Sequence, residues 1–140
     1  MSFNHFIFFC LAACLLLVGC GGTSAESAAL NSVSLTLKGM DTLKFDQDTL
    51  TAPAGAIVNL TFENVGTLDH NFLIAAQQDV ELVKISETDA TPGTSTGVVS
   101  GGATHVYKFV APFEPGDYVF ACSIPGHAAS GMAGTFTVTE

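Results

Sequence analysis

The sequence predicts an all-β domain, built as an antiparallel sandwich or barrel of short strands. From Val33 onward, apolar and polar residues alternate with a period of two in several runs, as they do in half-buried strands. Clusters of Pro, Gly and other turn-forming residues separate these runs. At 140 residues, the chain is long enough for one such domain and a tail.

The first segment, residues 1–19, is predicted to be an export signal. The run from Phe6 to Val18 is apolar throughout, but it is shorter than the roughly 20 residues that a membrane-spanning helix needs. Leu17-Val18-Gly19-Cys20 follows and resembles the lipobox of bacterial lipoproteins, in which cleavage precedes a cysteine that becomes acylated. An uncleaved anchor and a cleavage site further along the chain are the alternatives.

Residues 20–32 are predicted to be the lipidated Cys20 and a flexible tether. The segment consists mostly of small and polar residues, with too few apolar side chains to build a core. A chain of this length reaches roughly 20 Å, enough to hold a domain just outside a membrane surface. We therefore expect a protein anchored to the cell membrane by lipid, on its extracytoplasmic side, with residues 33–140 as the folded domain.

The strand-like runs and the turns between them then follow in order. The runs are Val33 to Leu37, Ile57 to Asn64, Phe72 to Ala75, Thr104 to Val110, Asp117 to Cys122 and Gly134 to Thr139. The turn clusters are residues 53–55, 91–93, 101–102 and 114–116. Residues 77–90 form the one helical candidate, with Val80, Val83 and Leu82 on one face, although an irregular segment fits the same brief stripe.

Charge and cysteine content limit the possible partners and sites of this chain. Acidic residues outnumber Lys and Arg by 13 to 4, which gives a formal net charge of −9 and argues against nucleic acid as a partner, because binding phosphates requires clustered Lys or Arg. Removal of the signal takes away Cys10 and Cys14, and lipid would occupy Cys20. Cys122 is then the single free thiol of the mature domain, so it is a reactive thiol or a metal ligand.

A cluster of metal-binding residue types surrounds this thiol. Cys122, His127 and Met132 follow one another at the spacing Cys-x4-His-x4-Met, with turn-forming Pro125, Gly126 and Gly131 between them. Thiolate, imidazole and thioether together suit copper better than zinc, calcium or magnesium.

A copper site of this kind needs a second histidine, and two are available. His70 precedes a buried strand and is the better candidate. His105 lies within a strand, where an exposed structural position is the simpler interpretation; if Val106 faces inward, His105 and Tyr107 share the outer face.

Together these motifs resemble the type 1 blue copper proteins, the cupredoxins. The resemblance rests on Asp69-His70-Asn71-Phe72, on the Cys-x4-His-x4-Met loop and on the Ala-Gly-Thr-Phe-Thr-Val that follows it. The loop length is most similar to the auracyanins, with azurin next. The resemblance implies a Greek-key β-sandwich that binds one type 1 copper ion through His70, Cys122 and His127, with Met132 as a distant axial ligand. It also implies that Asn71 braces the loop near Ser123.

The function that this resemblance implies is the transfer of single electrons between redox proteins, the donor and the acceptor both expected to be membrane complexes. An apolar surface around His127 would serve for docking, with the residues Pro125, Gly126, Ala128, Ala129 and Leu68. Copper enzymes of this fold connect the blue site to a second copper through a histidine beside the cysteine, whereas Ala121 and Ser123 flank Cys122. We therefore expect no enzymatic activity. The alternative function is a periplasmic copper carrier or store.

Overall fold

The computed structural model describes residues 31–76 and 79–140. The predicted signal segment, Cys20 and nearly all of the predicted tether lie outside these residues, so the predictions made for them stay predictions. In the part of the chain that is described, no helix is long and apolar enough to cross a membrane.

The described residues form two four-stranded sheets that pack face to face. The strands are β1 Ser32–Met40, β2 Lys44–Phe45, β3 Thr49–Pro53, β4 Ile57–Asn64, β5 Leu73–Ile74, β6 Thr104–Val110, β7 Gly116–Ala121 and β8 Ala133–Thr139. One sheet has the strand order β2-β1-β4-β6 and the other has the order β3-β8-β7-β5. The predicted all-β sandwich is confirmed.

The core lies between the sheets and is formed mostly by aromatic and branched side chains. Strand β4 shows the underlying pattern most clearly, because every second residue from Val58 to Asn64 is buried. Phe72 and Phe120, from the other half of the sandwich, pack with their ring centroids 5.6 Å apart. The side chains of this core that are fully shielded from solvent include Leu37, Val58, Leu60, Phe62, Phe120 and Phe136.

Two of the strand pairings are parallel, which corrects the antiparallel arrangement predicted from the turns. Strand β1 runs parallel to β4, with Ser32 opposite Ile57, and β3 runs parallel to β8. The chain crosses to the second sheet as β3 between β1 and β4, so β4 begins at the same end of the sandwich as β1. The short β2 and the strand β3 were not predicted.

The helical candidate at residues 77–90 contains only a 3-10 turn, Glu87–Asp89, among its described residues. Val83 is 74% exposed, whereas Val80 and Leu82 are partly buried against a small apolar cluster beside the main core. The backbone explains the outcome: Ala90 pairs with Ala75 next to β5, and this extended pairing prevents the segment from continuing as a helix.

The inward face of β6 is the opposite of the one considered from the sequence. Phe109 is buried and Val106 is 69% exposed, so the odd-numbered residues face the core. Tyr107 stacks on Phe109, with ring centroids 6.3 Å apart, and His105 lies at the exposed end of this row. The prediction that His105 occupies an exposed strand position is confirmed.

Candidate metal centre

His70 is held in place by backbone pairing just before β5. Its N–H donates to the Val99 carbonyl at 3.1 Å, and its own carbonyl accepts from the Val99 N–H at 2.7 Å. The buried amide of Asn64, the last residue of β4, donates to the carbonyls of both Leu68 and Val99. His70 is completely shielded from solvent. The ring is therefore fixed by the sheet ends and not by a free loop.

The segment just before His70 is fastened by a carboxylate. Asp41 accepts hydrogen bonds from the backbone N–H groups of Thr67 and Leu68 and from the Thr67 hydroxyl. These bonds, the one from Leu68 foremost, hold the pKa of the Asp41 carboxyl below its usual value. Asp41 thus connects the end of β1 to the turn that leads into His70.

Cys122, His127 and Met132 come from one compact loop between β7 and β8. The Cys122 N–H donates to the Met132 carbonyl, and the Met132 N–H donates to the His127 carbonyl, both at 3.0 Å. Gly126 and Gly131 have φ angles of +86° and +101°, which only glycine adopts at little cost. These bonds and turns bring the cysteine, the histidine and the methionine to one side of the loop.

The predicted ligands of the two segments meet at one point. His70 Nδ1 lies 3.2 Å from His127 Nδ1, and Cys122 Sγ lies 3.5 Å from the same His127 nitrogen. Ligand atoms of the three residues all lie within 4.8 Å of one another. Met132 is completely buried, and its Cε lies 3.2 Å from the position that a Cβ on Gly39 would occupy; His70 Cδ2 lies 3.3 Å from the same position.

This arrangement fits a bound metal ion. Two ring nitrogens that bind one ion at 2.0–2.1 Å lie about 3.3–3.6 Å apart, close to the separation of the two Nδ1 atoms. His70 Nε2 is buried and makes no hydrogen bond among the described residues, so Nδ1 is the nitrogen that faces the other ligands. One thiolate and two imidazoles are the His₂Cys set of blue copper sites, with methionine as the weak axial ligand.

Burial dominates the electrostatics of these side chains. Burial lowers the pKa of His70, with the neighbouring His127 acting in the same direction, so the neutral form that binds metals is favoured. Burial also raises the pKa of the Cys122 thiol, although N–H groups of Asn71 and Ile124 act against this. A metal ion that binds here must therefore displace the thiol proton.

The side chain of Asn71 links the two ligand segments. Its Oδ1 accepts from the Ser123 N–H at 2.8 Å, and its Nδ2 donates to the Ser123 hydroxyl at 2.8 Å. Its backbone N–H points at Cys122 Sγ, at 3.5 Å. Asn71 also donates to Glu87, whose carboxylate accepts from Ser123 as well.

Comparison with known proteins identifies the family. A model described as copper-binding proteins of the plastocyanin/azurin family matches residues 31–139. The chain belongs to this family. Its cofactor is a type 1 copper ion, and the copper site is formed by His70, Cys122, His127 and Met132.

Individual cupredoxins are similar in sequence. Auracyanin-B of Chloroflexus aurantiacus is 31% identical over 115 residues, which cover 71% of this chain and 48% of that protein. Rusticyanin of Acidithiobacillus ferrooxidans is 35% identical over 92 residues, 64% of this chain and 59% of rusticyanin. The chain thus spans about half the length of these curated relatives.

The cupredoxin fold is also evident from solved structures. A dithionite-reduced auracyanin from Roseiflexus castenholzii matches 79% of this chain and 99% of its own length, with a TM-score of 0.66 and 27% identity. Auracyanin B matches with a TM-score of 0.63 and 28% identity, covering 77% of this chain and 90% of its own. The predicted cupredoxin-type sandwich is confirmed by both.

Four residues around this cupredoxin site were not found from the sequence. Gly39, Asp41, Asn64 and Glu87 carry no metal-binding motif, and each acts on the ligands through another residue or through close packing. Asn64 offered one signal, since it is a polar residue at the buried phase of an otherwise apolar strand. For the other three, the contact depends on which loops meet at the end of the sandwich.

Proposed function

We propose that this cupredoxin is a membrane-tethered electron carrier, which moves single electrons between redox proteins outside the cytoplasm. The observation that carries this proposal is the cluster of His70, Cys122 and His127, whose ligand atoms lie within 4.8 Å of one another inside a hydrogen-bonded frame. Copper held by such a set supplies exchange between Cu(I) and Cu(II). Because sheet ends and a tight loop fix the ligands, little rearrangement is needed when the charge changes.

Relatives support a redox role. The similar structures include a dithionite-reduced auracyanin and a reduced rusticyanin, so both of those proteins take up electrons. In this chain the residues beside Cys122 are the buried Ala121 and the half-buried Ser123, and neither can bind a second copper ion. Among the described residues, the histidine outside the cluster is His105, which is exposed on β6. These features favour a carrier over an oxidase or reductase.

The surface next to His127 suits brief docking to a redox partner. Pro125, Gly126 and Ala129 are exposed beside this half-buried histidine, and Leu68 is 47% exposed before His70. Ala128, which was predicted to belong to this surface, is instead buried in the small apolar cluster beside the core. A small apolar surface beside a ligand allows a short path for electrons and a short-lived complex.

The geometry of β1 supports a function for the predicted tether. Ser32 starts β1 opposite Ile57, which in turn pairs with Val110 of β6, at one end of the sandwich. Gly39, seven residues later, packs beside His70 and Met132. At about 3.3 Å per residue, Ser32 and Gly39 lie roughly 23 Å apart. A lipid on Cys20 would therefore hold the opposite end near the membrane and leave the copper end available to partners.

A copper carrier or store is the second candidate. A copper-resistant cuproprotein, CopI of Rubrivivax gelatinosus, is 29% identical over 106 residues, which favours a role in copper handling. Against it, His70, Cys122 and Met132 are completely buried, whereas exchange of copper with other proteins requires accessible ligands.

Redox titration of the copper-loaded protein distinguishes the two functions. We expect an intense visible absorption that bleaches on one-electron reduction and returns on oxidation, with copper retained in the presence of a Cu(I) chelator. A colour that does not cycle, or rapid loss of Cu(I) to the chelator, would contradict the electron carrier and favour copper delivery.

The anchor is tested separately by mass analysis of protein purified from membranes. We expect the mature chain to begin at Cys20 with its acyl groups attached. A mature chain that begins elsewhere, or that lacks lipid, would rule out the tether without affecting the copper site.

A further inference from the structure

Glu87 occupies an unusual position for a surface carboxylate, because it lies directly behind the residues that brace the copper ligands. Its Oε1 accepts hydrogen bonds from the Asn71 amide and from the Ser123 hydroxyl, the latter at 3.2 Å. Its Oε2 accepts from the Ser95 hydroxyl at 2.6 Å. The carboxylate therefore connects three different segments at the copper end of the sandwich.

The turn that carries Glu87 is itself fixed. The Asp89 carboxylate accepts from both the N–H and the hydroxyl of Ser86, at 2.9 Å, which closes the 3-10 turn. The Asp89 carbonyl accepts from the Ala76 N–H at 2.8 Å, and Ala90 pairs with Ala75. The backbone of Glu87 is thus fixed next to β5, and the hydrogen bonds from Asn71, Ser123 and Ser95 hold the carboxylate itself.

The contact between Glu87 and Asn71 selects one orientation of the Asn71 amide. An amide can present either its oxygen or its NH₂ group to a neighbour. With Glu87 and the Ser123 hydroxyl on one side, Nδ2 has acceptors there, and Oδ1 is left to accept from the Ser123 N–H. This orientation ties His70's neighbour to Cys122's neighbour, so a change at Glu87 reaches both ligand segments through Asn71.

Within the part of the chain that the structure describes, the charge of Glu87 is not neutralised by an ion pair. The two ion pairs among the described residues are Lys38 with Glu63 and Lys84 with Glu81. A negative charge close to the Cys122 thiolate stabilises the more positive copper ion, Cu(II), relative to Cu(I).

We propose that Glu87 is a positioning residue of the copper site: it fixes the Asn71 amide between the two ligand segments and, as an anion, lowers the reduction potential. The redox part of this inference rests on the proposed electron-transfer function. The contact between Glu87 and Asn71 does not, and it is measurable without copper.

Glu87→Gln tests the charge, because glutamine keeps the size and an acceptor oxygen. We expect the visible absorption to persist and the potential to rise. At the midpoint potential of the unaltered protein, the Cu(I):Cu(II) ratio should increase roughly threefold, the order expected when a unit charge near a surface site is removed. The matched control is Glu81→Gln in the same segment, which loses one charge but has Lys84, and no residue of the copper site, as its ion-pair partner. This control should shift the ratio much less.

Glu87→Ala tests the positioning, with NMR of the metal-free protein as the readout. We expect the Asn71 side-chain amide protons to shift and to exchange faster with solvent, while in Glu87→Gln they stay protected. A potential that does not change in Glu87→Gln, a shift no larger than that of Glu81→Gln, or Asn71 protons unaffected by Glu87→Ala would overturn the proposal. If the protein fails to cycle electrons at all, the proposed function fails, and the NMR comparison still decides the role of Glu87.

Discussion

Single residues differ in what they contribute to the copper site, and Cys122 contributes the most distinctive bond. The intense visible absorption of blue copper proteins depends on a copper–thiolate bond, so Cys122→Ser should abolish this absorption even where copper still binds. Optical spectroscopy of copper-loaded protein measures this directly. The control is His105→Ala, which should leave the spectrum unchanged, since His105 is exposed on β6. Retained colour in Cys122→Ser would mean that the ligand assignment is wrong.

Gly39 limits how closely β1 approaches the copper ligands. A Cβ at this position would lie 3.0 Å from Phe62 Cζ, 3.2 Å from Met132 Cε and 3.3 Å from His70 Cδ2. Gly39→Ala should therefore displace Met132 and His70, at a cost of about 1–3 kcal/mol in the free energy of unfolding. We expect an altered visible spectrum and a lower Tm.

Gly93→Ala is the matched control for this substitution. Its Cβ would meet no atom within 4 Å, although its φ of +78° adds backbone strain. The control should therefore lower the Tm but leave the spectrum as it is. If both variants give the unaltered spectrum, close packing at Gly39 does not position the ligands.

The four residues of the copper site and the link between Asn71 and Ser123 were predicted from the sequence. Three of the ligands have distinctive chemistry and lie at a fixed spacing in one loop, whereas His70 and the contact between Asn71 and Ser123 followed from the resemblance of Asp69-His70-Asn71-Phe72 to the cupredoxins. Gly39 and Glu87 belong to no metal-binding motif of the sequence. A glycine in a strand and a glutamate in a polar segment are ordinary until the fold brings Met132 and Asn71 against them.

The turn that connects β4 to His70 depends on the side chain of Asp41, which lies just after the end of β1. Asp41 accepts hydrogen bonds from Leu68 and Thr67, and these bonds lower its pKa in the folded state. At pH values above about 3.9, the pKa of an Asp in an unfolded chain, the ionised carboxylate therefore stabilises the fold. This contribution is lost as the pH falls through the lower pKa of the folded state. Asp41→Asn should therefore lower the Tm at neutral pH, and the difference from the unaltered protein should shrink at pH values below about 4.

Thermal unfolding followed by circular dichroism between pH 3 and pH 7 checks this prediction. Glu114→Gln is the control, because its exposed side chain makes no hydrogen bond or ion pair among the described residues. A constant difference in Tm across this pH range would show that the Asp41 charge does not fasten the turn.

The bounds of several strands were predicted closely, and those of β4, where alternation is strongest, match the observed ones. Strand β6 was predicted with its observed bounds, and β7 and β8 each begin one residue earlier than predicted. Strand β3 was not predicted, because its residues Thr49–Pro53 alternate only briefly and end in a proline at a turn. Periodicity also could not decide which face of β6 is buried, because both faces carry apolar residues: Val106 and Val110 on one, Tyr107 and Phe109 on the other.

The charge of the whole molecule should influence its reactions with other redox molecules. With a formal net charge of −9, the protein should attract cations over distances comparable with the Debye length, about 10 Å at 0.1 M salt. The rate of oxidation or reduction by a small cationic complex, such as a ruthenium hexaammine, should fall as salt is added. With an anionic reagent, such as ferricyanide, the rate should rise. Stopped-flow measurements that show no salt dependence with either reagent would count against electrostatic steering.

The two ends of the sandwich also predict how a lipidated protein stands on a bilayer. The predicted tether joins the domain at Asn31, whose carbonyl accepts from Ile57 at the end opposite the copper ligands. On vesicles, a nitroxide on Glu114→Cys, in the loop between β6 and β7 at the tethered end, should broaden lipid resonances strongly. A nitroxide on Ser130→Cys, in the copper loop, should broaden them weakly. Equal broadening would show that the tether imposes no orientation.

By itself, the sequence determined the class of fold and the identity of the metal site. Alternating strands indicate a β-sandwich or barrel with a shared core, which the cupredoxin resemblance narrows to a sandwich. A thiolate, two imidazoles and a thioether in two motifs suit copper better than zinc, calcium or magnesium. The folded chain was needed to show which strands run parallel, which face of β6 is buried and which residues without a metal-binding motif contact the ligands or their neighbours. These features depend on contacts between segments far apart in the chain, such as Asp41 with Thr67 and Glu87 with Asn71, and local residue patterns carry no information about which distant segments will meet.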